Sequence, residues 1–180
     1  MKQFKNLYEA FRHQVYCPFC QKQVQIGWTK FITTYERNRN VNVVTLSTGS
    51  FLFEIDCDDN RIIEMRCEGV KLSGIFMFSV LAHCNDCSKY GYTIQVHADM
   101  ANMKVIGIYL NSETFSIEKG DTLYEIRNVY PMKKTEYSIF RKSTDASDNL
   151  DKQAELPLIP LDLENPEKTL DRIKGLIVFL

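Results

Sequence analysis

The segments Cys17-Pro18-Phe19-Cys20 and Cys84-Asn85-Asp86-Cys87 hold four of the six cysteines of this chain. Two residues separate the cysteines of each segment, and this spacing lets a single tight turn direct both sulfur atoms at one metal ion. Two such turns supply the four thiolates of a closed tetrahedral zinc site. We therefore predict that one structural Zn²⁺ ion is bound by four ligands, Cys17, Cys20, Cys84 and Cys87.

The two segments resemble the paired knuckles of the zinc-ribbon superclass, the first through Pro18 and the second through the step Gly91-Tyr92. The resemblance covers about 20 residues around the turns. It departs from the usual pattern at Gln21 and Ser88, where a glycine often follows the second cysteine, and in the long insert of residues 21–83. It implies a structural metal site at one end of a β-rich domain rather than a free-standing ribbon.

Length and composition are those of a soluble domain with appendages, since the chain has 180 residues, of which 44% are hydrophobic and 25% are charged. No apolar run approaches the roughly 18 residues that span a bilayer, and the N-terminus has no signal-peptide pattern. We therefore expect a cytoplasmic protein in a reducing compartment, where paired cysteines bind metal more often than they form disulfides.

Residues 22–142 have the pattern of β-strands, because short runs of Tyr, Phe, Val, Ile and Thr are separated by Gly, Asn and Asp. About ten strands at this spacing predict an antiparallel meander. The predicted strands are 23–34, 41–47, 50–57, 61–68, 72–82, 91–98, 104–110, 113–118, 121–129 and 135–142. We therefore predict a mainly β fold, an antiparallel sandwich or irregular barrel with the zinc knuckles at one end.

The clearest predicted hairpin turns at Asp58-Asp59-Asn60, with alternating apolar and polar residues on both sides. A three-residue loop pairs Ile55 with Ile63 and puts the last loop residue in a left-handed conformation. In this register Cys57 and Cys67 lie at opposite ends of the hairpin, too far apart for a disulfide. We expect both to be small buried hydrophobic residues.

A short helix is predicted near each end of the chain. Apolar residues recur with helical spacing over residues 3–13, and Asn165 with Pro166 supplies the N-cap and first position of a terminal helix. Residues 143–155 are polar without periodicity, which predicts a flexible linker. The predicted organisation is a zinc-stapled β-rich domain (1–142), the linker (143–155) and a docking tail with the terminal helix (156–180).

The terminal helix has an apolar stripe that predicts a docking role for the tail. Its residues are Leu170, Ile173, Leu176, Ile177 and Leu180. A linker followed by an amphipathic helix is typical of a segment that binds another protein or its own domain. Since no catalytic signature accompanies the zinc ligands, we predict a non-enzymatic, zinc-stabilised protein-interaction module with a protein partner.

A second class of function is single-stranded nucleic-acid binding by residues 22–40. Candidate contacts in this basic and aromatic segment are Lys22, Trp28, Lys30, Arg37 and Arg39. Aromatic stacking combined with phosphate contacts would suit single strands. The alternative is a row of core aromatics beside solvated charges, which the net charge of −1 favours because it gives little electrostatic attraction to nucleic acid.

A third class is a thiol–disulfide oxidoreductase, because Cys17-Pro18-Phe19-Cys20 also resembles the active dithiol of glutaredoxins. Such a site needs a helix directly after the dithiol to lower the thiol pKa. The residues from Gln23 to Thr34 have an extended pattern instead, and the second cysteine pair favours a metal site.

The tail further resembles small uncharacterised proteins of tailed marine phages. The resemblance rests on an Ile-Pro-Leu-Asp stretch at 159–162, Asn-Pro-Glu-Lys at 165–168 and Asp-Arg-Ile-Lys at 171–174. It covers about 25 residues, and that group has no assigned activity to transfer. It implies a viral accessory or virion-associated protein, located in the host cytoplasm or in the virion.

Overall fold

The computed structural model describes residues 3–27, 29–36, 39–48, 51–69, 72–129, 136–142, 150–156 and 165–178. Within these residues the chain forms two helices and eleven strands. The helices are α1 (Leu7–Arg12) and α2 (Pro166–Ile177). The strands are β1 (Gln25–Ile26), β2 (Thr29–Glu36), β3 (Arg39–Thr48), β4 (Phe51–Asp56), β5 (Arg61–Cys67), β6 (Ile75–His83), β7 (Tyr90–Asp99), β8 (Lys104–Lys119), β9 (Thr122–Val129), β10 (Glu136–Lys142) and β11 (Leu150–Leu156).

The eleven strands belong to one antiparallel sheet, which confirms the predicted mainly β fold with a short helix near each end. The main path of hydrogen-bonded strands runs β1-β6-β7-β8-β5-β4-β3-β2. Strand β9 pairs with β8, and β10 lies between β9 and β11. Among the described strands, this path ends at β1 and β2 and is not closed into a barrel by hydrogen bonds.

The chain divides into two compact units. The first unit contains Met1–Gln14, Ile26–Leu81 and Ile94–Leu110. The second contains Val15–Gln25, Ala82–Thr93 and Asn111–Leu180. Both cysteine segments and helix α2 therefore belong to the second unit. The predicted division into residues 1–142, 143–155 and 156–180 stays a prediction.

The sheet of the first unit is strongly curved, as an aromatic cluster of β4 and β6 demonstrates. The rings of Phe53 and Phe78 stack with centroids 4.9 Å apart, and those of Phe51 and Phe76 lie 5.0 Å apart. Along the path β6-β7-β8-β5-β4 a flat sheet would separate these strands by about 19 Å, at roughly 4.8 Å per strand. The sheet therefore rolls over its own apolar face, and the core of the unit lies inside the roll.

The predicted hairpin forms from β4 and β5, with one correction to its register. Phe51 lies opposite Cys67, as predicted, but Ile55 pairs with Ile62 and not with Ile63 because a bulge follows Glu54. The extra residue of this bulge is Ile63 on β5, which lies between the paired residues Ile62 and Glu64.

Asn60 has φ +61°, which confirms its predicted left-handed position. Its side-chain oxygen accepts from the Leu7 N–H at 3.1 Å, and its amide donates to the Lys5 carbonyl at 3.1 Å. The hairpin loop therefore holds the start of α1 in place. Helix α1 begins at Leu7 and not at residue 3, because the Asn6 side chain caps it by accepting from the Glu9 N–H at 2.8 Å.

Two segments near the C-terminus differ from the prediction. The predicted strands 104–110 and 113–118 are one continuous strand, β8, because Asn111 and Ser112 remain extended between them. Residues 150–155 of the predicted linker belong to β11, which pairs with β10, and residues 143–149 lie outside the described residues. A polar strand at a sheet edge has no apolar alternation, so the pattern search missed it.

Chemical labelling tests the burial of Cys57, which is 0% exposed and was predicted to be a buried hydrophobic residue. Burial raises the pKa of the Cys57 thiol to about 12, so at pH 8 only about one thiol in ten thousand is ionised and reactive. We expect iodoacetamide to label the half-buried Cys67 in the native protein well before Cys57. Equal labelling of the two residues by mass spectrometry would contradict the described core.

Candidate metal centre

The structure brings together the four cysteines that the sequence predicts as ligands. The sulfur atoms of Cys17, Cys20, Cys84 and Cys87 all lie within 4.8 Å of one another. The Sγ–Sγ distances are 3.5 Å for Cys17 and Cys87, 3.4 Å for Cys20 and Cys84, and 3.6 Å for Cys84 and Cys87. The prediction that two distant segments form a single cluster is confirmed.

The size of the cluster fits a tetrahedral metal ion. Zinc–thiolate bonds of about 2.3 Å place sulfur atoms about 3.8 Å apart along the edges of the tetrahedron. The three sulfur–sulfur distances of 3.4–3.6 Å are slightly shorter than this edge length. None of the six cysteines is in a disulfide, so the four sulfur atoms are available as thiolate ligands.

The first knuckle, residues 15–24, is a tight hairpin. The N–H of Cys17 donates to the Lys22 carbonyl at 2.8 Å, and the N–H of Gln21 donates back to the Cys17 carbonyl at 2.9 Å. Gln21 has φ +60°, so the turn closes through a left-handed residue. The hairpin continues at Val15 and Val24, where the Val24 N–H donates to the Val15 carbonyl at 2.8 Å.

The second knuckle repeats this arrangement at the end of the β6–β7 hairpin. The N–H of Cys84 donates to the Tyr90 carbonyl at 2.9 Å, and the N–H of Ser88 donates to the Cys84 carbonyl at 3.0 Å. Ser88 has φ +55°, matching Gln21 in the first knuckle. Both residues occupy the position where zinc ribbons often have glycine, which explains why that glycine is common: a left-handed residue is needed there.

Backbone N–H groups point at the sulfur atoms in both knuckles. Cys17 accepts from the N–H groups of Phe19 and Cys20, and Cys84 accepts from those of Asp86 and Cys87. These donors lie where thiolate charge needs stabilisation, since four thiolates and one Zn²⁺ carry a net charge of −2.

The thiols of the cluster differ in their tendency to ionise. Burial raises the pKa of Cys17 far above its usual value, against the lowering effect of its backbone donors. At Cys84 burial also raises the pKa, but hydrogen bonds from the backbone of Cys87 and the side chain of Cys20 help to lower it to about 7. Burial raises the pKa of Cys87 as well.

Side chains next to the cysteines connect the knuckles to the rest of the second unit. Asn85 donates to the side-chain oxygen of Gln25, which links the two knuckles. Gln21 donates to Glu167 in the first turn of α2. Lys89 forms an ion pair with Glu118 of β8 at 3.4 Å.

Sequence reasoning missed a buried polar pair beneath the second knuckle. The Tyr90 hydroxyl donates to Glu113 Oε1 at 2.7 Å, and the two residues are 2% and 0% exposed. Because Tyr90 also accepts the Cys84 N–H, this pair anchors the knuckle to β8. The only sequence signal was an acidic residue in an otherwise strand-like run, Asn111 to Ile117.

The predicted docking residues are only partly described. Leu170 and Ile173 are 2% and 0% exposed, so they pack within this chain. The side chains of Leu176 and Ile177, and all of Leu180, lie outside the described part of the chain. The start of α2 agrees with the prediction, since Pro166 is its first residue and the Asn165 carbonyl accepts from the Lys168 N–H at 3.1 Å.

The candidate nucleic-acid contacts do not form a described cluster. Lys22 is exposed within the first knuckle. The side chains of Trp28, Lys30, Arg37 and Arg39 lie outside the residues that the structure describes. Nucleic-acid binding therefore stays a prediction.

Comparison with known proteins gives no functional information. No family model matches the chain, and no curated protein or solved structure resembles it significantly. Among the described residues, neither helix has the length and apolar character needed to cross a membrane.

Replacing Ser88 by glycine tests the shape of the second knuckle. Ser88→Gly relieves the left-handed strain of a residue with a side chain and should raise the free energy of unfolding by up to about 1 kcal/mol. Ser116 is the matched control, because it lies in extended β8 and Ser116→Gly should lower stability instead. Urea denaturation of both variants measures the difference, and equal losses in both would contradict the turn geometry.

Proposed function

We propose that this protein is a non-enzymatic interaction module stabilised by one structural Zn²⁺ ion. The observation that carries the proposal is the convergence of four cysteine sulfur atoms within 4.8 Å, from two knuckles of matching backbone geometry. A four-thiolate set fills every position of a tetrahedral ion and leaves none for substrate or water, which is typical of structural sites. The ion then holds the two knuckles together.

The geometry does not favour the alternative of a dithiol oxidoreductase. Cys20 is followed by the left-handed Gln21 and an extended bridge between Tyr16 and Gln23, so no helix N-terminus lies next to the dithiol to stabilise a thiolate. The first pair also lies in contact with the second pair, as expected for ligands of one ion.

An exposed apolar row supports the interaction role. Ile75, Met77 and Leu81 of β6 belong to the first unit and are 58%, 57% and 50% exposed. Large apolar side chains grouped on one strand face are a common feature of protein-binding surfaces. This row replaces the buried residues Leu170 and Ile173 as the candidate contact surface. A viral accessory role, in host cytoplasm or virion, rests on the tail resemblance alone.

The metal has a second structural role in this proposal, because the first knuckle contacts α2. Gln21 directly follows the ligand Cys20 and donates to Glu167 at the start of the helix. At the other end of α2, the Lys119 ammonium donates to the Val178 carbonyl at 3.4 Å. The knuckle geometry therefore helps to keep Leu170 and Ile173 buried.

Metal analysis tests the ligand set directly. The purified protein should contain one zinc ion per chain, and Cys20→Ser should remove it and lower the free energy of unfolding by several kcal/mol. Cys67→Ser is the matched control, since Cys67 is equally half-buried but lies outside the cluster, and it should keep the metal. Metal-free wild-type protein, or a Cys20→Ser variant with normal zinc content and melting temperature, would refute the proposal.

Hydrogen exchange tests the link between the metal and α2. Removing zinc with a chelator should increase amide exchange in residues 166–177, because the knuckle loses the geometry that positions Gln21. The hairpin of β4 and β5 in the first unit is the internal reference and should change less. Glu167→Ala should weaken the protection of α2 while zinc stays bound. Unchanged exchange in α2 after chelation would show that the helix is held independently of the metal.

A further inference from the structure

The four cysteines of the cluster divide into two that are fully buried and two that solvent reaches. Cys17 and Cys84, the first cysteine of each knuckle, are 0% exposed, whereas Cys20 and Cys87 are half-buried. Oxidation of cysteine depends on access as well as on thiolate character, and a cysteine that holds a metal ion is a thiolate. A small oxidant such as hydrogen peroxide therefore meets the second cysteine of each knuckle first.

Each of these accessible cysteines has a buried cysteine of the other knuckle as a close neighbour. The Sγ atoms of Cys20 and Cys84 lie 3.4 Å apart, and those of Cys87 and Cys17 lie 3.5 Å apart. The third described sulfur contact, between Cys84 and Cys87 of the same knuckle, is longer at 3.6 Å. The two shortest contacts have no cysteine in common, so both can become bonds in the same molecule. A disulfide bond of about 2.05 Å requires each pair to close by about 1.4 Å.

We infer that the cluster is a peroxide-sensitive site, in which oxidation replaces the metal ion by two disulfides between the knuckles, Cys20–Cys84 and Cys17–Cys87. The inference rests on the proposed zinc site, because zinc is the ion that oxidation releases. It adds a regulated state to that site, in which zinc is free and the knuckles are joined covalently.

Each disulfide consumes one molecule of hydrogen peroxide. The thiolate of the half-buried cysteine attacks one peroxide oxygen, the O–O bond breaks, and a sulfenic acid forms as hydroxide leaves. The facing buried thiolate attacks the sulfenic sulfur, the S–S bond forms, and a second hydroxide leaves. The two thiolates lose two electrons and the peroxide gains them, while two protons from solvent convert the hydroxides to water. After both pairs react, no thiolate of the cluster remains, and the metal leaves as Zn²⁺.

Pairing between the knuckles keeps the second unit together without the metal. The bonded cysteines are 70 and 64 positions apart in the sequence, so each bond restricts the unfolded chain over a long loop and stabilises the folded unit. A disulfide within either Cys-x-x-Cys segment would close only a short loop and leave the knuckles unlinked. Because Cys20 stays attached to the second knuckle, the adjacent Gln21 keeps its place beside Glu167 of α2.

Peroxide titration of the zinc-loaded, full-length protein tests the inference. Zinc content is measured first, and about two molecules of hydrogen peroxide per chain should then release all of the zinc to a coloured chelator. Reduction with dithiothreitol should restore zinc binding. Cys67→Ser is the matched control, since Cys67 is also half-buried but lies outside the cluster. This variant should release zinc with the same stoichiometry.

Peptide mapping of the oxidised protein identifies the bonds. After free thiols are alkylated, trypsin leaves both cysteines of the first knuckle in residues 13–22 and both cysteines of the second in residues 72–89. Disulfides between the knuckles join the two peptides into one species, in which fragmentation should show Cys20 bonded to Cys84 and Cys17 to Cys87. Disulfides within the knuckles would leave the peptides separate, each two hydrogen atoms lighter.

Hydrogen exchange and urea denaturation measure whether the oxidised unit stays folded. Exchange in residues 166–177 should remain at the level of the zinc-bound protein, and the urea midpoint should exceed that of reduced protein after chelation. Faster exchange in this helix after oxidation, or a urea midpoint no higher than that of the chelated protein, would contradict the inference.

The outcomes separate this inference from the metal proposal. Zinc-loaded protein that keeps its metal in peroxide, loses it without forming disulfides, or forms any other pairing would overturn the inference and leave the zinc site intact. Retention of zinc by Cys67→Ser would also overturn it, because the oxidation would then act through Cys67. Protein that contains no zinc when purified would refute the metal proposal, and this inference with it.

Discussion

The convergence of four cysteine sulfur atoms within 4.8 Å is the interaction on which the second unit depends. Thiolates this close repel one another, and neutral thiols make only weak hydrogen bonds, so a cation is needed to turn the cluster into a net attraction. In the proposed metal-bound protein, folding and metal binding form one equilibrium, because the ligands come from segments more than 60 residues apart that the unfolded chain does not hold together.

The two knuckles reach this arrangement by the same backbone route. In each, the first cysteine accepts an N–H from the residue four positions later, and that residue is left-handed. Gln21 and Ser88 adopt this conformation although each carries a side chain, which costs about 1 kcal/mol or slightly more per residue. In the first knuckle, the left-handed residue also makes a contact that glycine could not make, because the Gln21 side chain donates to Glu167 of α2.

The first unit gains its stability from a different source. Stacked phenylalanine rings from β4 and β6 fill the inside of a rolled sheet, and Asn60 fixes α1 to the hairpin loop. Apolar burial of this kind needs no metal. In β6, the inward face packs in this core, while Ile75, Met77 and Leu81 on the outward face are exposed.

Several structural features could be predicted from the sequence because they depend on local chemistry. Cysteine spacing indicated the two knuckles, Asn60 indicated a left-handed turn, and Asn165-Pro166 indicated the start of a helix, since each signal depends on residues close together in the chain. Other features needed the tertiary structure. The bulge at Ile63 changes the register of the β4–β5 hairpin, and the buried Tyr90–Glu113 pair joins two strands. Such contacts leave no local pattern, because their partners are chosen by the packing of the whole unit.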